Sequence, residues 1–511
     1  LMEKSPVRIC VPVCVQRAGE LLAAVEGAAE VADIVELRLD CLSDNEREPP
    51  LPVLANYLES STILTMRSPE QGGHALANLD DRRRFWRSLG EIPASCLIDL
   101  ELDLVLDLAA EEAQAKSWID WSRVICSHHD FLSTPIDLER IFERMLATPA
   151  RILKIAVQAE DATDCLPVLR VLDLAQRRGR EMIAIAMGQA GIMTRVLGPS
   201  RGSFLTYGSL DDQNATAPGQ LTASALRGLY RIDQINQETE IIGLIGKSVS
   251  HSLSPHIHSA ALAAAAVNAV YIPFQVADAT QFMRRMAHPR SRELKWNLRG
   301  LSVTAPHKLD VMGCLDEIDP AAKEIGAVNT ILIKDEALHG YNTDAPGFIS
   351  PLRRKFGTLK NSRCAIIGAG GGARAAIWAL RNEGAHVALF VRNADKGRPT
   401  AEEFGVECRP LGTDRFDAFD IVINATPLGT RGVLEHDTPA TADQLRGVRL
   451  AYDLVYNPLE TRFLREARSA GCETLGGIEM LVAQAFEQFK LWTGHEPDLE
   501  VMRAAALGGL G

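Results

Sequence analysis

Short apolar runs recur along the first 210 positions, each separated from the next by a stretch long enough and polar enough for an amphipathic helix. The runs are Val7–Cys14, Asp33–Asp40, Thr62–Arg67, Cys96–Leu102, Val124–Ser127, Ile152–Val157, Met182–Met187 and Phe204–Tyr207, with starts roughly 22–34 residues apart. Eight strands alternating with helices predict a (β/α)8 barrel, in which functional side chains sit at the C-terminal ends of the strands. Glu36, Arg38, Asp40, Arg67, Glu101, His129 and Lys154 all fall at or near those ends. A charge there is costly unless it is paired or functional, so the clustering marks a site.

A second pattern begins after residue 240. Ala223–Tyr230 reads as the last barrel helix, Arg231–Glu240 as a polar linker, and Ile241–Ile245 as a new strand. Composition shifts again around Leu352–Asn361, and the strand Cys364–Ile367 runs straight into a glycine-rich loop. The expected division is a barrel at 1–230, a linker at 231–240, a substrate-binding lobe at 241–345, a Rossmann-type dinucleotide lobe at 346–455, and a segment at 456–511 that packs back on the substrate lobe. The fold class is α/β throughout.

Bulk properties narrow the function. At 511 residues the chain exceeds a single core. With 46% hydrophobic and 23% charged residues, it reads as an ordinary globular protein. A net charge of −12 argues against nucleic acid, which requires a basic face. Any anionic substrate must then be held by local Arg and Lys. The ten cysteines are scattered with no CxxC pair, so they are expected to be reduced, with neither a structural metal nor a disulfide framework. No apolar stretch has the length of a membrane span, and the first strand begins too early to leave room for a leader. A cytoplasmic protein with no membrane partner, monomeric or a small homo-oligomer, is expected.

Lys154 lies within the otherwise apolar Ile152–Val157. Burial favours the neutral amine, and a neutral amine can attack a ketone to give a Schiff base. Taken alone, a lysine snorkelling from an edge strand fits the pattern equally well. His129, in the stretch Ser127-His128-His129-Asp130-Phe131, supplies a base able to move the proton that an iminium acidifies. Glu36, Arg38 and Asp40 share one strand face at period two. Arg67 leads into Gln71-Gly72-Gly73, followed much later by Thr194-Arg195 and Ala215-Thr216-Ala217-Pro218-Gly219-Gln220. The blocks ELRLD, SHHDF, LKIAV, TR and APGQ, in that order, resemble the type I 3-dehydroquinate dehydratases over 7–230. The resemblance implies Lys154 as Schiff-base lysine and His129 as general acid/base in a syn elimination of water. It also implies Arg195, Thr216 and Gln220 around the substrate carboxylate, and Glu36, Arg38 and Arg67 on its hydroxyls. One departure stands out: Gln71 occupies a position where the family usually has Glu, which predicts a less basic His129 unless Glu70 or another carboxylate substitutes.

In the second half, Gly368-Ala369-Gly370-Gly371-Gly372-Ala373 follows a strand and opens a helix. It fits G-x-G-x-x-A: Gly368 for the turn, Gly370 and Gly371 for backbone approach to a diphosphate, Ala373 for helix packing. The next strand, His386–Val391, ends in Arg392 rather than an acid, which favours a 2′-phosphate and hence NADP; Arg374 is a further phosphate candidate. Ser252 and Ser254 alternate before Pro255, either facing a ligand or capping a helix. The blocks from Ser302 to Lys308, Gly326 to Thr330, Gly340 to Asp344, Asn424 to Pro427, Asp453 to Pro458 and Met480 to Gln484 are similar to the shikimate dehydrogenase family over 241–511. That similarity implies Lys308 and Asp344 as the catalytic pair, with Ser252, Ser254, Thr304, Asn329, Tyr456 and Gln484 around substrate and Thr426 near the cofactor. Together the halves imply 3-dehydroquinate, 3-dehydroshikimate and shikimate as small-molecule partners. The rival readings are a quinate-preferring NAD(P) dehydrogenase half and a metabolite-sensing pseudoenzyme.

Overall fold

The computed structural model describes residues 7–510 apart from 44–45, 47–61, 75–77, 90–91, 113–118, 212 and 413–414. The expectation that no leader precedes the first strand rests on residues 1–6, outside that set. The chain divides into two compact units, with the main break between Thr239 and Glu240.

In the first unit, β1 (Ile9–Val13), β2 (Ile34–Arg38), β3 (Thr62–Thr65), β4 (Cys96–Glu101), β5 (Val124–Asp130), β6 (Ile152–Gln158), β7 (Glu181–Met187) and β8 (Thr206–Tyr207) form one parallel sheet in the order β7-β6-β5-β4-β3-β2-β1-β8. An isolated parallel bridge between Met182 and Ser203 brings the two edges together. The result is a nearly closed barrel. Ile34, Ile63, Ile125, Ile152 and Ile183 belong to one buried cluster with Cys10. Because strand side chains alternate, a residue two positions on from each points to the same face. Glu36, Thr65, Ser127 and Lys154 are thereby placed above that apolar layer, towards the C-terminal mouth.

Two expectations are corrected here. The cysteines are not all free: Cys14, directly after β1, is joined to Cys41 in the turn Leu39–Cys41 after β2, with a Cα–Cα separation of 5.4 Å. Spacing along the chain conceals this, because adjacent parallel strands bring together ends that lie 27 residues apart. The other eight cysteines are unpaired. The second concerns the short linker expected at 231–240: Ile232 and Ile235 are buried within it, and Glu240 already begins a strand.

The second unit holds two sheets. The first runs β10 (Ala269–Gln275), β9 (Glu240–Gly246), β11 (Leu298–Val303), β13 (Thr330–Lys334), β14 (Ala337–Tyr341), β12 (Glu317–Ile318), and is mixed, with β13 antiparallel to both β11 and β14. The second is all parallel: β17 (Glu407–Pro410), β16 (His386–Val391), β15 (Arg363–Ile367), β18 (Ile421–Asn424), β19 (Leu450–Asp453), β20 (Glu473–Leu475). Counted within the lobe this is the 3-2-1-4-5-6 order of a dinucleotide-binding sheet, whose ligand crevice opens at the switch between strands 1 and 4. Helices Gly477–Thr493 and Leu499–Gly508 share a core with β9 and helix Ser254–Ala264 through Ile242, Ile257, Phe489, Trp492 and Met502. The expected boundary at 455 is also corrected, since β20 extends the dinucleotide sheet to Leu475; Tyr456 and the two terminal helices pack on the substrate lobe. Among the described residues no helix is long and apolar enough to cross a membrane.

Candidate active sites

One cavity at the barrel mouth is lined by Glu36, Arg38, Arg67, His129, Lys154, Arg195, Thr216 and Gln220, together with Gln71 and Tyr207. The barrel residues to which the resemblance gives a role are therefore in one place, while Asp40 and Glu101 stand behind them, Asp40 on Arg38 and Glu101 on Ser68 and Arg82. The Lys154 ammonium donates to Asp99 Oδ2 at 2.9 Å and to the Tyr207 hydroxyl at 2.8 Å, and Glu36 Oε1 lies 3.6 Å away. Asp99 also accepts from Arg67 at 2.9 Å and from Ser127 at 2.5 Å. Burial pushes the Asp99 carboxyl up, but the Arg67 and Lys154 charges outweigh that and hold it well below the usual carboxylate range. Arg38 is clamped by both oxygens of Asp40, at 2.9 and 2.8 Å.

His129 is neutral by construction. Burial, followed by the Arg67 and Lys154 charges, holds its imidazole well below the usual value of 6.5, with Asp99 the nearest opposing influence. Gln71 does not reach the ring; its Oε1 accepts from the His129 backbone N–H at 3.0 Å. Glu70 is exposed and does not replace the missing carboxylate. Asp99 instead supplies the negative charge facing the histidine.

Arg195 differs from every other guanidinium in the cavity. It is buried, its Nη1 donates only to the Tyr207 carbonyl at 3.3 Å, and its Nε and Nη2 are buried without a hydrogen-bond partner. Burial alone lowers it to about 10. A planar fork left open in this way matches an incoming carboxylate. Beside it, Gln220 Oε1 accepts from the Thr216 backbone N–H at 2.8 Å. Their loop fits because Gly219 has φ +64°, and a Cβ there would stand 2.2 Å from the Gly188 carbonyl carbon.

A second cavity, of about 790 Å³, is lined by Ser252, Ser254, Thr304, Lys308, Asn329, Asp344, Tyr456, Gln484 and Thr426. Lys308 donates to Asp344 Oδ2, and the other oxygen, Oδ1, accepts from Asn329 Nδ2 at 2.8 Å. Ser252 Oγ accepts from the Ser254 backbone N–H at 3.2 Å, and both residues line the cavity, while the helix's N-cap is Leu253. Ser302 does not line it. Ser302 accepts from Tyr271 at 2.8 Å and donates to Gln488 at 3.0 Å, and Gln488 in turn donates to the Asn329 carbonyl at 3.2 Å.

The glycine loop lies where β15 meets helix Gly371–Asn382. Gly368 has φ +112°, and a Cβ would stand 2.8 Å from the Ala425 carbonyl oxygen. Gly370 precedes the helix with open space where a Cβ would be, leaving the backbone N–H groups accessible to a phosphate. A Cβ on Gly371 would be 3.2 Å from Lys308 Cδ, and Ala373 is fully buried in the lobe core. Arg392 is exposed at the end of β16, free to meet a 2′-phosphate, while Asn393 caps the following helix through the Asp395 N–H at 3.0 Å. These residues fit a dinucleotide. Arg374 is a correction: its guanidinium turns away from the loop to the Ile325 carbonyl at 2.7 Å and to Glu403. On the first turn of a helix it resembles a phosphate ligand, but it braces the Gly326 turn instead.

Sequence reading missed Asp99, Tyr207 and Gln488. An aspartate inside the apolar Cys96–Leu102, two residues before Glu101, was the available signal for the first. The other two look like ordinary strand-end and helical residues.

The fold and sites define a lysine-centred barrel joined to a two-lobed dinucleotide oxidoreductase. Family models for type I 3-dehydroquinase, the shikimate dehydrogenase substrate-binding domain and the shikimate 5′-dehydrogenase C-terminal domain match residues 9–237, 244–331 and 477–507. The chain is 35% identical over 512 aligned residues to the chloroplastic bifunctional 3-dehydroquinate dehydratase/shikimate dehydrogenase of Arabidopsis thaliana, covering 96% of this chain and 83% of that protein. The shikimate dehydrogenase (NADP(+)) of Methanocaldococcus jannaschii is 39% identical over 282 residues, 53% of this chain and 98% of that one. A crystal structure of a shikimate dehydrogenase in complex with NADP+ superposes with a TM-score of 0.51 at 38% identity, over 54% of this chain and 98% of that chain. The chain belongs to the bifunctional 3-dehydroquinate dehydratase/shikimate dehydrogenase family.

Proposed function

We propose that the barrel dehydrates 3-dehydroquinate to 3-dehydroshikimate and that the second unit reduces this product to shikimate with NADPH. The observation that carries the first step is Arg195, a buried guanidinium with no carboxylate partner among the described residues, set in the same cavity as Lys154. It anchors the substrate carboxylate and so presents the ring ketone to the lysine. The Lys154 amine adds to that ketone, and loss of water gives an iminium. The iminium acidifies the adjacent C–H, and neutral His129 takes that proton. The imidazolium then protonates the departing hydroxyl, which leaves as water. Hydrolysis of the iminium releases the product and restores Lys154.

In the second unit, Lys308 donates a proton to the developing alkoxide and Asp344 holds the lysine in place. Ser252, Ser254, Thr304, Asn329, Tyr456 and Gln484 surround the substrate. NADPH would supply the hydride; Gly368, Gly370, Gly371 and Thr426 would hold its diphosphate and Arg392 its 2′-phosphate. We assign the barrel to 1–230, the substrate lobe to 241–345, the dinucleotide lobe to 346–475, and the terminal helices to the substrate lobe. A cytoplasmic monomer or small homo-oligomer completes the reading.

The test is to supply 3-dehydroquinate and NADPH together and to measure NADPH loss and shikimate. Wild-type protein is expected to give stoichiometric shikimate, and Lys154→Ala to do so only when given 3-dehydroshikimate. Lys308→Ala should stop at 3-dehydroshikimate. Borohydride should fix substrate mass onto wild type but not onto Lys154→Ala. Shikimate formation from 3-dehydroquinate by Lys154→Ala would overturn the proposal.

A further inference from the structure

We propose that Cys14, Cys41 and His74 form a binding site for a soft divalent cation of the zinc class, assembled at the barrel mouth when the Cys14–Cys41 disulfide is reduced. The two cysteines follow adjacent parallel strands, β1 and β2, and His74 lies in the loop beyond β3. The two sulfurs and an imidazole nitrogen all lie within 4.8 Å of one another. Ligands around a tetrahedral zinc with bonds of about 2.0–2.3 Å stand roughly 3.3–3.8 Å apart. Parting the sulfurs and drawing in the imidazole therefore needs only local movement. Two thiolates and one imidazole are the donors zinc prefers over hard cations, and three protein ligands leave one position for water. Cys14 and His74 are exposed, which gives an ion a route in.

The location gives the site a consequence. A cavity of about 300 Å³ is lined by Cys14, His74, Arg38, Gly72 and Thr216, and the last three of these also line the catalytic cavity. The His74 backbone N–H donates to Asp40 Oδ2 at 3.2 Å, the same oxygen that accepts from Arg38 at 2.8 Å. Cys41 follows Asp40 in the chain. Two of the three ligands, Cys41 and His74, are thus tied to the clamp that holds Arg38, and Cys14 lines the same cavity as Arg38. The coupling part of the proposal rests on Arg38 binding substrate; the metal site itself does not.

The disulfide and the metal site exclude each other. With a tertiary phosphine as reductant, phosphine and one water convert the S–S bond to two thiols. The phosphine leaves as its oxide, and each sulfur gains a proton. Binding the cation then releases both thiol protons.

The test uses the full chain, reduced with phosphine under argon and titrated with cobalt(II), which reports thiolate ligation by its charge-transfer absorption. One cobalt per chain is expected, displaced by one equivalent of zinc, with none bound by the oxidised protein. Cys14→Ser and Cys41→Ser should each abolish the absorption, and His74→Ala should weaken binding about tenfold or more. Cobalt absorption in the Cys14→Ser/Cys41→Ser double variant equal to that of reduced wild type overturns the site, as does no binding by reduced wild type. Zinc should also change the dehydratase KM about fivefold while leaving reduction of 3-dehydroshikimate unchanged. An unaltered KM at full zinc occupancy overturns the coupling to Arg38.

Discussion

The backbone N–H of His129 donates to the side-chain oxygen of Gln71 at 3.0 Å, so Gln71 positions the histidine through its main chain and not through its ring. Gln71→Glu keeps an acceptor for that bond and adds negative charge near an imidazole depressed by burial, Arg67 and Lys154. The acid limb of the dehydratase pH profile should move up by about half to one unit. Gln71→Leu, lacking the acceptor, should lower kcat about tenfold at unchanged pH dependence. An identical pH profile for Gln71→Glu and wild type would remove the electrostatic part of this account.

Burial, Arg67 and Lys154 hold His129, the proposed general base, well below the ordinary histidine range. Dehydratase kcat/KM should stay level as the pH falls from 8 through 6.5, declining only at lower pH. A half-maximal point at or above 6.5 would contradict the burial argument.

Arg195 sets binding against stability. Its Nε and Nη2 are buried without partners, so Arg195→Met removes an uncompensated charge from the substrate-free protein. The melting temperature should rise by roughly 2–4 °C, about 1 kcal/mol. Dehydratase kcat/KM should fall about a hundredfold or more. Calorimetry and initial rates check the two effects separately.

Asp99 should behave in the opposite way. It accepts from Arg67 and Lys154, both at 2.9 Å. Asp99→Asn leaves two cations facing each other in a buried site, at a cost of about 3–5 kcal/mol. Urea unfolding of the barrel transition should shift accordingly, and borohydride trapping at Lys154 should slow.

His258 makes the second unit acid-sensitive. It is buried between Tyr271 and Trp492, and burial lowers it to about 3. The unfolded chain takes up its proton near 6.5 and the folded chain near 3, so this contribution is complete above 6.5. It is lost at about 1.4 kcal/mol per pH unit as the pH falls through that window. His258→Gln should be less stable at neutral pH yet show a shallower acid decline. Parallel stability curves for the two proteins would contradict the assignment.

What the sequence disclosed and what it hid follow one physical division. Lys154 and Glu36 are legible because a polar residue in an apolar run advertises an interior position, whereas His129, beyond the expected end of its strand at Ser127, is legible only with the motif around it. The glycine loop is legible for a similar reason, since φ +112° at Gly368 is open to little else. Partnerships across strands are not legible. Tyr207 against Lys154 and Cys14 against Cys41 arise from barrel closure and strand adjacency, which no local window contains. Arg374 shows the converse error: its position on the first turn was read correctly, but its direction is decided by Glu403 and the Ile325 carbonyl.

The place where a Cβ on Gly371 would sit is 3.2 Å from Lys308 Cδ. Lys308 therefore rests against the glycine-rich loop, closely enough that even a methyl group at position 371 would press on its side chain. That glycine acts as a gauge block: it sets how near the proposed proton source, Lys308, stands to the dinucleotide crevice. Evolutionary retuning of the loop for another dinucleotide is accordingly constrained by acid–base chemistry, and a substitution selected for affinity at Gly371 would first be felt as a displaced proton.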